Sequence, residues 1–485
     1  MTDYKHRIET DRDASIAMAP VTGDYNVQVV VGTAPVNQSK HMADVVNRPV
    51  VVRSMQDVIE YFGWGDDYRK YTLMQAAHMS FKSFPVEPVV MINVLDPSKT
   101  EHTAAVAGKE IAFVKGSAFI EDDGILADTL VVTADGTETE RDTDYAATVS
   151  GSGVVIAVIP GGALAGKEKV TVGYQKLKPE GVKPEDIVGG LDENGVRTGI
   201  ELIDEVYAKL GVLPGVLTAP GFSGNPMVAM ALEAKAELAG DFSNAIAVVD
   251  IDTDAATKIT DVAAAKEVLG AKSRWVVACW PRVLVSGKVI AMSAAVSALL
   301  QYTCIKNNNI PCESPDNLNI GIDGLVLSDG TELNITQAQV NDYLNSIGVV
   351  SCIYMNGWRC WGNNTTAYPD EIAPNSRFIK NVLIANYLEN RFKVDHLSKI
   401  GRTATLKRIE SIVAEFNALI GTLVPDYLAG GEIVFNKEDN PIWKLQEGHL
   451  TFRTKYADYT PIEYILNKFT WDSTILEDAL TGGEA

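Results

Sequence analysis

The chain is short of the residues that carry most hydrolytic and redox chemistry. It has 6 histidines and 5 cysteines among 485 residues. His6, His41, His78, His102, His396 and His449 are scattered, with no HExxH pair to hold a metal on one helix face and no GxSxG elbow to expose a serine. Triads assemble in space, so this leaves a nucleophile unnominated without excluding one. Cys279, Cys304, Cys312, Cys352 and Cys360 form an odd set, and Met1 to Asp13 lacks an apolar signal core, so free thiols are expected. Cys304/Cys312 and Cys352/Cys360 share one spacing, yet zinc knuckles separate their pairs by about two to four residues, which favours buried apolar thiols. Positive charge is scarce too. Lys and Arg total 42 against 63 Asp and Glu, a net charge of −21, which argues against a surface that tracks phosphates. No membrane insertion is expected, because the longest uncharged run, Val289 to Ile305, carries Ser293, Ser297, Gln301 and Thr303 and is short for a span. It reads as part of a buried helix, Lys288 to Lys306, in a soluble, cytoplasmically made protein.

What is present is apolar patterning, 46% of the chain, enough for two to four domains of ordinary size. Residues 1–20 alternate charges with few large apolar groups and read as an arm. Residues 21–96 give strand, strand, helix, helix, strand: Val27 to Val31, Pro49 to Val52, Met55 to Phe62, Tyr71 to Phe84 and Pro88 to Val94. Residues 97–190 are rich in Val, Thr, Gly and Asp. Short candidate strands at Glu110 to Val114, Thr129 to Thr133, Ala146 to Val149, Val154 to Val158 and Lys169 to Tyr174 suggest an inserted all-β sandwich or barrel-like domain. Residues 191–330 return to alternation: helix Glu201 to Leu210, strand Val216 to Ala219, helix Pro226 to Leu238 capped by Asn225, strand Ala245 to Asp250, helix Ile259 to Leu269, strand Arg274 to Cys279. That order implies a largely parallel sheet in an α/β (α+β) core.

A parallel sheet can bind ligands at its carboxyl edge, so two turns matter. Ala219 to Pro226 contains glycines but lacks the Lys-Ser/Thr of a P-loop and a dinucleotide fingerprint, which makes it a helix cap. Asp250, Asp252 and Asp254 begin like a calcium loop, but Ala255 stands at position six and Asp261 at position twelve, so an acidic strand-to-helix turn is the better reading. No cofactor or metal is assigned.

Residues 331–470 hold the most specific stretch. Gln337, Val340, Leu344 and Ile347 fall at helical spacing before Gly348, and an apolar strand, Val349 to Met355, follows. Gly357, Trp358, Arg359, Cys360, Trp361 and Gly362 read as a tight aromatic hairpin, followed by the loop Asn363 to Thr366. A helix capped by Asn375 or Ser376 then stacks Phe378/Val382, Ile384/Leu388 and Leu388/Phe392. Ile335 to Gln339, Leu344, Asn345, Gly348 and Val349, with Gly357, Arg359, Trp361, Gly362, Thr365 and Arg377, resemble the conserved carboxyl-terminal core of contractile tail sheath proteins. The family has Leu-Thr where this chain has Ile335-Thr336, and Asn where it has Val350. The "VVVGTAP" and "PVVMINV" segments are similar to the amino-terminal part of the same core.

Farther on, Arg391, Lys393, Lys399, Arg402, Lys407 and Arg408 make a basic segment in an acidic chain. A solvated helix face is the simplest reading of it. Leu406, Ile409, Val413, Phe416 and Ile420 define a helix packed on the core and capped by Gly421. Strands are expected at Glu432 to Asn436, Ile442 to Gln446, His449 to Tyr456 and Ile462 to Phe469, and residues 471–485 read as a short, flexible carboxyl-terminal arm.

The resemblance implies a structural subunit rather than an enzyme. It would polymerise as a helical stack of hexameric rings around a tail tube and contract to drive the tube through a cell envelope. It implies self-association through exchanged terminal arms, partners in the tube, baseplate and tail terminator proteins, and a place in the virion tail after assembly in the host bacterial cytoplasm. It also implies an outer-surface position for the β insert. Lys399, Arg402, Lys407 and Arg408 become tube-contact candidates. The alternative is a nucleotide- or sugar-handling α/β enzyme with a β insert, binding near Gly221 or Asp252. A secreted adhesin is a third reading, opposed by the missing signal core.

Overall fold

The computed structural model describes residues 26–482 except 152, 192 and 241, with backbone alone at 21–22. The amino-terminal arm expected over 1–20 lies outside the described residues.

Eight strands form the central sheet. They are β1 (Val27–Gly32), β2 (Pro49–Val52), β3 (Val89–Asn93), β4 (Pro214–Thr218), β5 (Ile246–Asp250), β6 (Val276–Cys279), β7 (Val349–Tyr354) and β8 (Trp358–Trp361). Their order is β8-β7-β6-β5-β4-β1-β3-β2. The six inner strands run parallel, and β2 and β8 close the two edges antiparallel. Near-continuous apolar runs such as Val-Val-Val in β1 suit a parallel sheet covered on both faces, and every residue of β1, β3, β4, β5 and β6 is buried. The covering helices include α1 (Pro226–Glu237), α2 (Val262–Leu269) and α3 (Met292–Lys306). Asn225 accepts a bond from the Met227 amide and Pro226 takes the first turn, as the sequence expects. Two buried glutamines tie this core together, while the hydroxyls of Thr218, Ser297 and Ser351 are buried without a partner. Gln28 Nε2 donates to Gln301 Oε1 (2.8 Å) and Ser80 Oγ (3.1 Å), while Gln301 Nε2 donates to the Pro88 carbonyl (2.7 Å).

Seven strands lie between Thr103 and Leu177, arranged as a three-stranded and a four-stranded antiparallel sheet. They enclose a hydrophobic cluster of their own around Ile120, Val132, Tyr145, Ile156 and Val172. The sequence reading misses Ser117–Glu121, which pairs with Gly153–Val158. Its residues alternate buried and exposed, so its apolar content is diluted.

The remaining chain builds a smaller carboxyl-terminal unit from α4 (Ile379–His396), α5 (Leu406–Leu423) and a two-stranded ribbon, β9 (Leu428–Val434) and β10 (Arg453–Asp458). Ile384, Leu388, Phe416, Ile420 and Leu428 form its core.

Several expectations are corrected. The buried helix begins at Met292 and not at Lys288, because Lys288–Ile290 is a strand paired with Arg282–Val285. The turn between them uses Ser286 (φ 48) and Gly287 (φ 74), the left-handed pair that two-residue hairpins favour. Neither Asn375 nor Ser376 caps α4. Pro374–Arg377 forms its own single turn, and Phe378 occupies the cap of α4. Helix α5 runs through Gly421 to Leu423. Ile442–Gln446 is a short helix after Pro441. Residues 462–469 form no strand, and the last segment contains α6 (Ser473–Thr481).

Candidate functional site

The helical segment before β7 opens with a capping box. The Gln339 amide donates to Thr336 Oγ1 (3.3 Å) and the Thr336 amide to Gln339 Oε1 (3.0 Å). It ends at Gly348 with φ 71. A Cβ there would stand 2.5 Å from the Thr365 carbonyl oxygen and 2.7 Å from that of Tyr368, so only glycine lets the loop close on the strand. Beyond it, β7 and β8 pair Tyr354 with Trp358 and Cys352 with Cys360 in the expected hairpin.

The side chains of the hairpin are spent on this corner. Trp358 Nε1 donates to the Asp323 carbonyl (2.9 Å) and Trp361 Nε1 to Asn341 Oδ1 (2.8 Å). Arg359 donates to the carbonyls of Met355 (3.1 Å) and Asn317 (2.7 Å). Gly357, at φ 115, completes the turn, and the Gly362 amide donates to Asp316 Oδ1 (2.7 Å). Thr365 is fully buried, with its hydroxyl on the Ser376 carbonyl (2.7 Å) and its amide on that of Arg377 (2.7 Å).

Lys266 of α2, which no sequence pattern nominates, completes the corner. It is 4% exposed, and its ammonium donates to the carbonyls of Ile347 (2.5 Å), Thr366 (3.1 Å) and Tyr368 (3.0 Å). Burial pushes its pKa down to about 8.

Arg377 alone among the motif residues reaches outward. Its guanidinium lies 4.7 Å from the ring centre of Tyr368 and 4.3 Å from that of Phe378. Its Nε donates to Asn364 Oδ1 (2.9 Å), and Nη2 meets Glu463 Oε2 at 2.5 Å. Three residues on, Lys380 is nearly buried, pairs with Asp458 (3.4 Å) and donates to the Tyr459 carbonyl. These contacts mark the point where the chain leaves the carboxyl-terminal unit. From Ile462 onward the large apolar side chains are at least half exposed: Tyr464, Ile465, Leu466 and Leu480 among them, with Phe469 at 91% and Trp471 at 77%. Glu463 and Lys380 are missed by sequence reasoning. The available signal is a lone acid in the otherwise uncharged run Tyr459 to Asn467.

The basic segment divides. Lys399 pairs with Glu415, whose carboxyl is held below its ordinary range by that bond, and Arg408 folds back on the Thr403 carbonyl. Arg391 pairs with Asp395 at 3.0 Å. Arg402 and Lys407 are exposed, beside exposed Ile400 and Leu406.

The carboxyl edge of the sheet holds a cavity of about 690 Å³ lined by residues including Gly221, Asp250, Asp252, Asp254, Asp261 and Arg282. Asp250 is occupied structurally: it accepts from Ser223 Oγ (2.8 Å), Ser293 Oγ (2.5 Å) and the Ser293 amide (2.9 Å), placing a carboxylate at the start of α3. Among the described residues no cluster of His, Cys, Asp and Glu could hold a metal ion, and no helix is long and apolar enough to cross a membrane. Burial raises the thiol pKa values of all five cysteines.

No family model matches the chain. Structure comparison places the fold. The chain matches a subunit in the contracted helical sheath of the anti-feeding prophage with a TM-score of 0.56 at 13% identity, covering 97% of this chain and 100% of that one. A chain in the contracted sheath complex of an extracellular contractile injection system, PVC, gives 0.55 at 12% identity over 98% and 100%. The fold is that of contractile sheath subunits. Sequence agrees: the tail sheath protein of Burkholderia phage BcepMu is 26% identical over 99% of this chain and 98% of its own length. That of Escherichia phage P2 is 24% identical over 57% and 68%. Along nearly its whole length the chain is similar to contractile tail sheath proteins, in sequence and in fold. The enzyme alternative finds no support in these relatives.

Proposed function

We propose that this chain polymerises as a helical stack of hexameric rings around a tail tube and contracts to drive the tube through a target envelope. The observation that carries the reading is the carboxyl-terminal arm, whose tryptophan, phenylalanine and aliphatic side chains are exposed in the single subunit. Apolar surface of this size marks an interface, and aromatic side chains in particular anchor interfaces. The arm's occupant is a second copy of this chain. Head-to-tail contacts of this kind extend into open helices when their rotation does not close.

The related structures come from a baseplate and from contracted sheaths, and they support self-assembly and a baseplate partner in a virion tail. Arg402 and Lys407, with Lys399 and Arg408 beside them, face the tube in this reading, and the tail terminator caps the stack. The β region between Thr103 and Leu177 is an inserted module decorating the outside, and its separate hydrophobic cluster supports that role. Its clean excision leaves polymerisation intact. Sliding of rigid subunits between two packings, with the arms as flexible ties, performs the contraction without catalysis.

Negative-stain electron microscopy of the full-length chain across a range of concentrations tests the reading. Striated hollow tubes or stacked rings support it. Compact particles at every concentration refute it.

A further inference from the structure

The arm is fastened at two points of different character. At the inner one, Lys380 is 5% exposed and Asp458 sits at the end of β10, so the contact is sheltered from solvent. At the outer one, the Glu463 side chain is 41% exposed, and Arg377 is held in place by Asn364 and two aromatic rings whether or not Glu463 is present. Between them residues 459–463 pass along a cavity of about 550 Å³ that is also lined by Asp316, Asn363 and Tyr427. Asn363 is 5% exposed and its Nδ2 has no hydrogen-bond partner. Asp316, also on the cavity wall, is a half-buried carboxylate whose pKa is raised first by burial, against two backbone amide bonds that lower it, and further by the charge of Glu463. Glu463 therefore sits between an attractive guanidinium and a repulsive carboxylate. The span beneath it is not filled by side chains, and beyond it the arm is exposed.

We infer that Arg377–Glu463 is a releasable latch that sets the direction in which the arm leaves the subunit, and that its opening moves the pivot five residues back, to Lys380–Asp458. The weak, exposed pin opens first because a solvated ion pair is worth little, whereas a sheltered pair is costly to break. The open space below residues 459–463 lets that segment change course without displacing core side chains. The consequence for a polymer, one exit angle latched and a wider range unlatched, rests on the sheath reading. The latch itself is a property of the single subunit.

The test uses the full-length chain with nitroxides carried on non-natural residues at two exposed positions, Glu410 in α5 and Asn467 in the arm. Pulsed EPR gives their distance distribution in monomer preparations. The expected result is one narrow distribution in the parent, at least a twofold broader one in E463Q and in E463K, and broadening by about 1 M salt in the parent but not in E463Q. Melting temperatures are expected to stay unchanged, so a loss of fold cannot mimic the effect. Equal widths in all three proteins overturn the latch. Electron microscopy of the same preparations judges the other reading separately: a parent that forms no tubes but broadens on E463Q keeps the latch and loses the sheath.

Discussion

The central sheet and the carboxyl-terminal arm draw on the same kinds of side chain and treat them oppositely. In β1, β4 and β5 every residue is buried, and Trp280 close by is fully covered with its indole on the Ala256 carbonyl (3.0 Å). In the arm, Ile465, Phe469 and Trp471 are open to solvent. A sheet can complete its burial within one chain. An arm cannot, so its apolar content is information about a neighbour. Stability should reside in the first region and assembly in the second.

The largest separation is expected from the arm. F469D with W471D should abolish tubes in electron micrographs while leaving the monomer's melting temperature within about 2 °C, because each aromatic anchor lost from an interface costs about 2–4 kcal/mol of association. A matching loss of monomer stability would break the comparison. In the core the reverse holds. W280A should lower the unfolding free energy by about 3–5 kcal/mol in urea titrations, yet tubes should still form at temperatures where the variant is folded.

Lys266 sharpens the comparison through pH. Its folded pKa lies near 8, below the ordinary lysine value, so above pH 8 the folded protein releases a proton that the unfolded chain keeps. At this group the unfolded state then binds more protons, so Lys266 contributes stability that grows with pH from about 8 toward 10, while the five thiols, whose pKa values burial raises, work in the opposite direction as the unfolded chain's thiols ionise. Above that window Tyr68, held up to about 12 by burial, also lowers stability, because the unfolded chain ionises first. K266M should lose the Lys266 contribution between pH 8 and 10 and also be less stable at pH 7, since three buried carbonyls lose their donor. The gap in urea midpoint between parent and K266M should therefore widen from pH 8 to 10, and a gap that stays constant over that window would contradict the assignment. The smallest effect belongs to the basic segment. K399A should change the urea-derived stability by under about 1 kcal/mol, as expected for a surface pair. R402E with K407E should leave self-assembly intact and weaken only assembly on a tube, most visibly at low salt in co-sedimentation.

The sheet was legible in sequence because its strands are short runs dominated by apolar residues, and Gly348 and Asn225 mark their neighbouring helix ends through chemistry that depends on one residue. The hairpin was legible for the same reason: Gly357 and Gly362 sit where backbone geometry admits little else. What failed was set by tertiary partners. Lys288–Ile290 reads as helix until Arg282–Val285 claims it. Residues 462–469 read as a strand by composition but have no strand beside them among the described residues. The role of Arg377 could be placed in sequence but its partner could not, because Glu463 lies 86 positions away.

The strand order has a consequence in time. In the sheet β1 lies between β3 and β4, and β4 begins at Pro214, about 180 residues after β1 ends. At a synthesis rate of about 5–20 residues per second, one edge of β1 waits roughly 10–40 s for its neighbour. During that interval a buried apolar strand of the finished protein is a bare edge on the ribosome, where unpaired edges invite misassembly. The segment from Thr103 to Leu177, with its own hydrophobic cluster, can fold during the wait.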